Sequence, residues 1–167
     1  DSSQKVATKS AKPGLRAHFT TRLEEAPMFS QRIRSVMERK KLLIAAPETT
    51  VSQAAKLMAK KNVGAVMIVE GERLVGIFTE RDAVFRVIAR GRDTQTTQMA
   101  DVMTPAPQTV DPDKSFGFAL MMMHENGFRH VPVVEKGKLI GIVSSRNAMD
   151  PDLEEFVVEA QRRKHIR

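Results

Sequence analysis

The chain contains no cysteine. That excludes disulfide staples, thiolate catalysis and cysteine-ligated zinc together, and it fits a reducing, cytoplasmic setting. No apolar run approaches the roughly 18–20 residues needed to cross a bilayer, so a membrane-spanning helix is excluded. No secretory leader is evident, and the sequence opens on Asp1 rather than methionine. A phosphate-cradling glycine loop, a metal-ligand cluster and a nucleophile paired with a base are all missing as well. His18, His124, His130 and His165 stand at no metal-ligand spacing. Glu80 and Asp82 are neighbours, yet adjacency at a helix start does not separate two carboxyl pKa values into an acid and a base. The expected protein is not an enzyme.

Positive charge is also scarce where a nucleic-acid-binding domain would need it. Of the formal +7, residues 1–41 supply ten Lys/Arg against four Asp/Glu, whereas residues 42–167 hold seventeen against sixteen. Nucleic-acid-binding domains carry the excess on a folded face. Nucleic acid is therefore not the expected partner, and any such contact belongs to the basic N-terminal arm. That arm, residues 1–33, begins "DSSQKVATKSAKPG" and reads as disordered or loosely docked. In "FSQRIRSVMERKK" a short helix is predicted, with Ile33, Val36 and Met37 on one face.

What the sequence does have is itself, twice. "GIFTERDA" from Gly76 returns as "GIVSSRNA" from Gly141, a spacing of 65 residues. The same shift pairs Pro47 with Pro112, Ala54 with Ala119, Met58 with Met123, Val66 with Val131 and Leu74 with Leu139. Val51, Ala54, Ala55 and Met58 form one apolar stripe at helical spacing, and Phe116, Ala119, Leu120 and Met123 form its copy. Thr50 and Gln53 have the spacing of a capping box. Each helix precedes two short β-branched runs, "AVMIV" and "LVGIF", then "VPVV" and "LIGIV", with glycine turns at Glu70-Gly71 and Lys136-Gly137. A second helix, "ERDAVFRVIARG", ends on Gly91. The short runs "LLIA" and "PQTV" supply one leading strand per unit.

The predicted organisation is α/β: residues 34–93 and 94–150 form two strand–helix–strand–strand–helix units, and residues 151–167 form a closing helix. "DTQTTQMADVMTPA" joins the units. One unit is too small to bury both faces of its sheet, so two must stack with pseudo-two-fold symmetry and leave a cleft where they meet. "LMMMHE" is read as core and dimer packing, since methionine adapts to shifting interfaces.

Each octapeptide runs out of a strand into a helix. Thr79 and Asp82 have capping-box spacing, which as a structural reading needs nothing further. Position adds a second meaning. A helix start offers unpaired N–H groups to an anion, a hydroxyl reaches phosphate or sugar, and a carboxylate accepts from a ribose diol. Asn147 keeps the acceptor of Asp82 without its charge, so the two sites should differ.

These features, with "DVMTPAPQTVDPDKS" and "RHVPVVEKGKLIGIVS", make residues 34–150 similar to tandem CBS domains, the Bateman module. The resemblance implies two CBS-type repeats whose cleft binds adenosine compounds: AMP, ADP, ATP, NAD or S-adenosylmethionine. It also implies a homodimer formed through helices, and an effector that the sequence does not name. Carried over residue by residue, one site takes Thr79 for phosphate and Asp82 for ribose, with Ile44, Ala65 and Val66 around adenine. The other takes Ser144 and Asn147, with Thr109, Val131 and Pro132 around the base. Arg129, His130, Arg81 and Arg146 are the candidate phosphate cations. The competing reading is a dimerisation platform that binds no ligand.

Overall fold

In each repeat, two β-branched runs and a glycine-bearing turn fold into the same antiparallel hairpin. Strands β2 (Ala65–Glu70) and β3 (Arg73–Thr79) pair from Glu70↔Arg73 to Ala65↔Thr79, while β5 (His130–Glu135) and β6 (Lys138–Ser144) pair from Glu135↔Lys138 to His130↔Ser144. A bulge interrupts both at equivalent places, between Ile68 and Val69 and between Val133 and Val134. The computed structural model describes residues 27–148. The polar start of the arm and the closing helix expected over 151–167 lie outside the described residues.

The two long helices, Val51–Lys61 and Phe116–Asn126, start as the sequence predicts. The Gln53 amide donates to Thr50 Oγ1 at 3.3 Å and the Thr50 amide to Gln53 Oε1 at 3.0 Å, closing the capping box. Ser115 caps the second helix through the Phe118 amide at 3.2 Å. Both helices end on a left-handed residue, Asn62 and Gly127, which stand 65 positions apart.

Four elements differ from expectation. "LLIA" gives only the two-residue strand β1, Ile44–Ala45, parallel to β2. "PQTV" forms no strand, only a parallel bridge from Val110 to Val133. The segment expected merely to join the repeats is structured: it holds the helix Met99–Val102 and strand β4, Thr104–Pro105, which pairs with β3. "FSQRIRSVMERKK" makes two four-residue helices, Pro27–Ser30 and Ile33–Val36, rather than one. The break at Arg32 occurs because backbone groups there are claimed from outside. The Phe116 amide donates to the Gln31 carbonyl at 2.7 Å, and the Ile33 amide to the Lys114 carbonyl at 2.9 Å.

The last two departures share one cause. Each repeat's leading segment docks on the other repeat. Before the first repeat, Ile33 and Met37 sink into the core built by Phe116, Val131, Val133 and Val143, and Glu38 bridges Ile142 of β6. Before the second, Met99 and Val102 sink into the core of Val66, Ile68 and Phe78, and β4 pairs with β3. The first sheet thus has the order β1-β2-β3-β4. The second has two paired strands, flanked by single bridges where the first has β1 and β4. Each fully buried aliphatic or aromatic side chain contributes roughly 1.5–3 kcal/mol. The exchange of leading segments therefore ties the repeats together with apolar burial as well as backbone pairing.

Between the hairpins, Met67 and Ile77 of the first repeat meet Leu139 and Ile142 of the second in a separate apolar cluster. The middle of the seam is apolar. Its ends, at the strand–helix junctions, are open.

Candidate functional site

The first junction is held by its own side chains. Thr79 and Asp82 close a reciprocal box: the Thr79 amide and hydroxyl donate to Asp82 Oδ2 at 2.8 and 2.9 Å, and the Asp82 amide donates to Thr79 Oγ1 at 3.3 Å. Asp82 Oδ1 pairs with Arg86 Nε at 3.3 Å, and Arg86 Nη1 donates to the carbonyls of Val102 and Met103 at 3.2 and 2.8 Å. The helix beyond changes pitch. One turn at Glu80–Asp82 passes into a π-helical stretch, Ala83–Val87, and a 3₁₀ turn, Ile88–Arg90, before Gly91 ends it at φ +61°. π-Helical insertions are frequent at functional sites.

The second junction keeps two of these bonds with less charge and leads into a 3₁₀ turn, Ser145–Ala148. The Ser144 amide and hydroxyl donate to Asn147 Oδ1 at 2.8 and 3.2 Å.

Each junction opens onto a cleft whose far wall comes from the other repeat. A cleft of about 420 Å³ has Thr79, Arg81 and Asp82 on one side, with Phe128, Arg129 and His130 on the other. Thr104 and the loop Ala106–Gln108 form its floor. A second, of about 170 Å³, brings Ser144, Arg146 and Asn147 against Gly64, Ala65 and the segment Lys41–Leu43. The repeat relation maps one lining onto the other: Arg129-His130 stand where Gly64-Ala65 stand, and Ala106–Gln108 where Lys41–Leu43 stand. A third cavity, of about 310 Å³, lies beside the first helix around Ala55, Ala59 and Ala83.

The structure therefore groups the candidate residues across the repeats rather than within them. Thr79, Arg81 and Asp82 gather with Arg129 and His130. Ala65, expected beside Thr79 and Asp82, lines the cleft of Ser144, Arg146 and Asn147. Val66 and Val131 are fully buried in the two cores, and Pro132 is buried in β5. Ile44 and Thr109 are exposed and line none of the three cavities. Strand alternation is the reason for Ile44: with Leu43 and Ala45 turned into the core, the residue between them faces out. Glu80, Phe128, Lys41, Leu42, Thr104 and Gln108 line the clefts without having been singled out for them. No local spacing marks them, because they meet only where the two copies stack.

Glu80, Arg129 and His130 belong to the walls of both clefts. Burial holds the His130 imidazole below its ordinary pKa; Glu80 pulls it up in part, and Arg129 and Arg146 press it down. At neutral pH the ring is thus an uncharged hydrogen-bonding group between fixed cations. Among the described residues no set of three or more His, Asp or Glu is placed to hold a metal ion, and no helix is long and apolar enough to cross a membrane.

Comparison with known proteins places this geometry. The family described as CBS domain matches twice, over residues 33–89 and 99–151. The mitochondrial CBS domain-containing protein CBSX3 of Arabidopsis thaliana is 34% identical over 152 residues, covering 84% of this chain and 74% of its own. Among solved structures, a conserved protein of Pyrococcus horikoshii superposes with a TM-score of 0.68 at 29% identity, over 72% of this chain and 91% of its own. The CBS domain protein PAE2072 of Pyrobaculum aerophilum, solved in complex with AMP, gives 0.66 at 25% identity over 77% and 99%.

Proposed function

As this chain belongs to the CBS-domain family and carries two CBS domains in tandem, we propose that it is a regulatory module that binds an adenosine-containing compound between its repeats. The observation that carries this reading is the larger cleft. There a hydroxyl and a carboxylate at a strand–helix junction face an arginine and a histidine from the other repeat across about 420 Å³. Asp82 accepts the ribose hydroxyls, Thr79 and Arg81 meet the phosphate from one side, and Arg129 and His130 meet it from the other. Ala106, Pro107 and Phe128 supply apolar surface for the base. In the smaller cleft Ser144, Asn147 and Arg146 take the corresponding roles, with Ala65 at the base. AMP leads the candidate ligands, because one phosphate suits this set of cations and a relative of the same fold binds it. ADP, ATP, NAD and S-adenosylmethionine follow.

A ligand signals only through a difference in affinity between two conformations. Arg86 offers the route. It holds Asp82 with one nitrogen and the carbonyls of Val102 and Met103 with another. A ribose that takes the Asp82 carboxylate releases Arg86 and with it the segment leading into the second repeat. The output passes to an effector protein, and the chain itself carries out no catalysis. Exposed Leu57, Phe85, Ile88, Phe118 and Met121 give the helices an apolar face for a homodimer. That same face favours the second reading, a dimerisation platform whose clefts stay empty. The division into 34–93 and 94–150, with residues 1–33 as a separate arm, belongs to this proposal. So does a cytoplasmic location, against which stands the mitochondrial relative; cell fractionation decides between them.

Titration calorimetry of the full chain with AMP, ADP, ATP, NAD and S-adenosylmethionine tests the function. Heat with at least one of them, lost in Asp82→Ala, is expected. Silence with all five leaves the platform.

A further inference from the structure

The relation that carries Thr79 onto Ser144 removes the charge of the residue that follows. It carries Glu80 onto Ser145 and Gly64 onto Arg129. The backbones agree: the Glu80 amide donates to the Gly64 carbonyl at 3.0 Å, and the Ser145 amide to the Arg129 carbonyl at 3.0 Å. The side chains do not. One repeat sets a carboxylate beside a glycine; the other has a serine and an arginine at the same two positions. Glycine makes room for the acid, since a Cβ on residue 64 would stand 3.2 Å from Cδ and Oε1 of Glu80 and 3.3 Å from Oε2. Seated there, Glu80 reaches the walls of all three cavities. Its charge is felt at His130 across the seam. The box residue Asp82, by contrast, is committed to Thr79 and Arg86.

We propose that Glu80 is a specificity-determining residue, a negative charge in the wall common to both clefts that selects against ligands with a long phosphate chain. This rests on the adenosine reading above and narrows it. One phosphate can be met by Arg129 and its neighbours. Each further phosphate adds charge along a wall that already holds a carboxylate, and like charges in a partly desolvated cleft repel more strongly than in water. The second repeat, with Ser145 at this position, provides no such repulsion of its own. Discrimination comes from the first repeat alone.

The test titrates AMP, ADP, ATP and inorganic tripolyphosphate into the full chain and into Glu80→Gln and Glu80→Ser. Glu72→Gln, in an exposed hairpin turn, serves as the control. Both Glu80 variants should bind ATP and tripolyphosphate about tenfold more tightly, one decade in affinity, with AMP changed by less than about threefold. The control should match the parent chain. Equal gains for AMP and ATP, or no gain at all, overturn the proposal. If no nucleotide binds but the variants still gain tripolyphosphate, the adenosine reading falls and this one stands. If nucleotides bind with unaltered ratios, the reverse holds. If neither nucleotide nor tripolyphosphate binds any chain, both fall.

Discussion

The two repeats share a backbone plan but distribute volume and charge differently. Phe78, on a strand of the first repeat, corresponds to Val143 in the second, and Phe116, on a helix of the second, corresponds to Val51 in the first. All four are buried, with both phenylalanines fully so. Each core thus has one ring at this pair of positions, contributed by opposite layers. Packing density can be met from either side of a core, so volume is conserved while the sequence at each position is not. Charge follows another logic. The first junction has Glu80 and Asp82 where the second has Ser145 and Asn147, and the second has Arg129-His130 where the first has Gly64-Ala65. Because the clefts are built across the repeats, the larger one combines the acidic junction with the basic strand end. Duplication produced two clefts, and substitution has made them unequal.

The sharpest way to break this comparison is to empty one core at a time. Phe78→Ala and Phe116→Ala should each cost about 3–5 kcal/mol, since each removes a fully buried ring. If the exchanged leading segments couple the repeats, chemical denaturation will remain a single transition for both variants. Two separated transitions would show that the cores unfold independently and that the exchange ties nothing together.

A smaller effect is expected where the leading segments cross the sheets. Gly76 lies under Met103, and Gly141 lies under Met37. A Cβ at residue 76 would stand 2.2 Å from the Met103 sulfur, whereas one at 141 would stand 2.8 Å from the Met37 sulfur and 3.2 Å from the Glu38 carbonyl oxygen. Both alanine variants should lose stability, by about 1–3 kcal/mol with Gly76→Ala the worse. Met103→Ala should recover part of the Gly76→Ala loss; no recovery in denaturant midpoints would place the strain elsewhere.

Making the junctions alike tests charge alone. Asp82→Asn gives the first box the acceptor that Asn147 supplies in the second, but removes the charge facing Arg86. Stability should fall by about 1 kcal/mol, since Asp82 is largely buried in this pair while Arg86 is part-exposed. Affinity for a ribose-bearing ligand at the larger cleft should drop by more than the stability loss implies. Equal affinities for the parent and Asp82→Asn would move the ribose to another residue.

Much of this was legible in the sequence, because the repeat copies the elements in order. Helix stripes, hairpin turns, the Thr50–Gln53 and Thr79–Asp82 boxes and the apolar faces of Ile33 and Met37 all depend on local spacing, and local spacing is what a sequence displays. The partnership between Thr79 and Arg129 does not depend on it. A cleft formed by two copies is a property of how they stack, and nothing in either copy records that its wall comes from the other. The same blindness hid β4: Thr104-Pro105 has no strand signal, and only docking against Gly76 and Ile77 makes it one. The resemblance puts Val66, Val131 and Pro132 at the base slot, whereas all three lie within hairpin strands and are buried.

The smallest expected effect concerns His130, the group on which the two repeats' charges converge. Burial keeps its folded pKa below the ordinary 6.5, with Glu80 opposing and Arg129 and Arg146 assisting. Between the folded pKa and 6.5 the unfolded chain takes up a proton that the folded chain refuses. Stability should therefore be lost as pH falls below 6.5 and be restored as pH rises through that window. His130→Gln removes this dependence. Glu80→Gln should enlarge it, because the one neighbour that favours the imidazolium is gone while both arginines remain. Denaturant midpoints of the three chains between pH 7.5 and 5.0, on the order of a window centred below the ordinary histidine value, check both statements. Were Glu80→Gln to flatten the profile instead, the carboxylate would not be facing the ring, and the charges of the two repeats would not converge on His130.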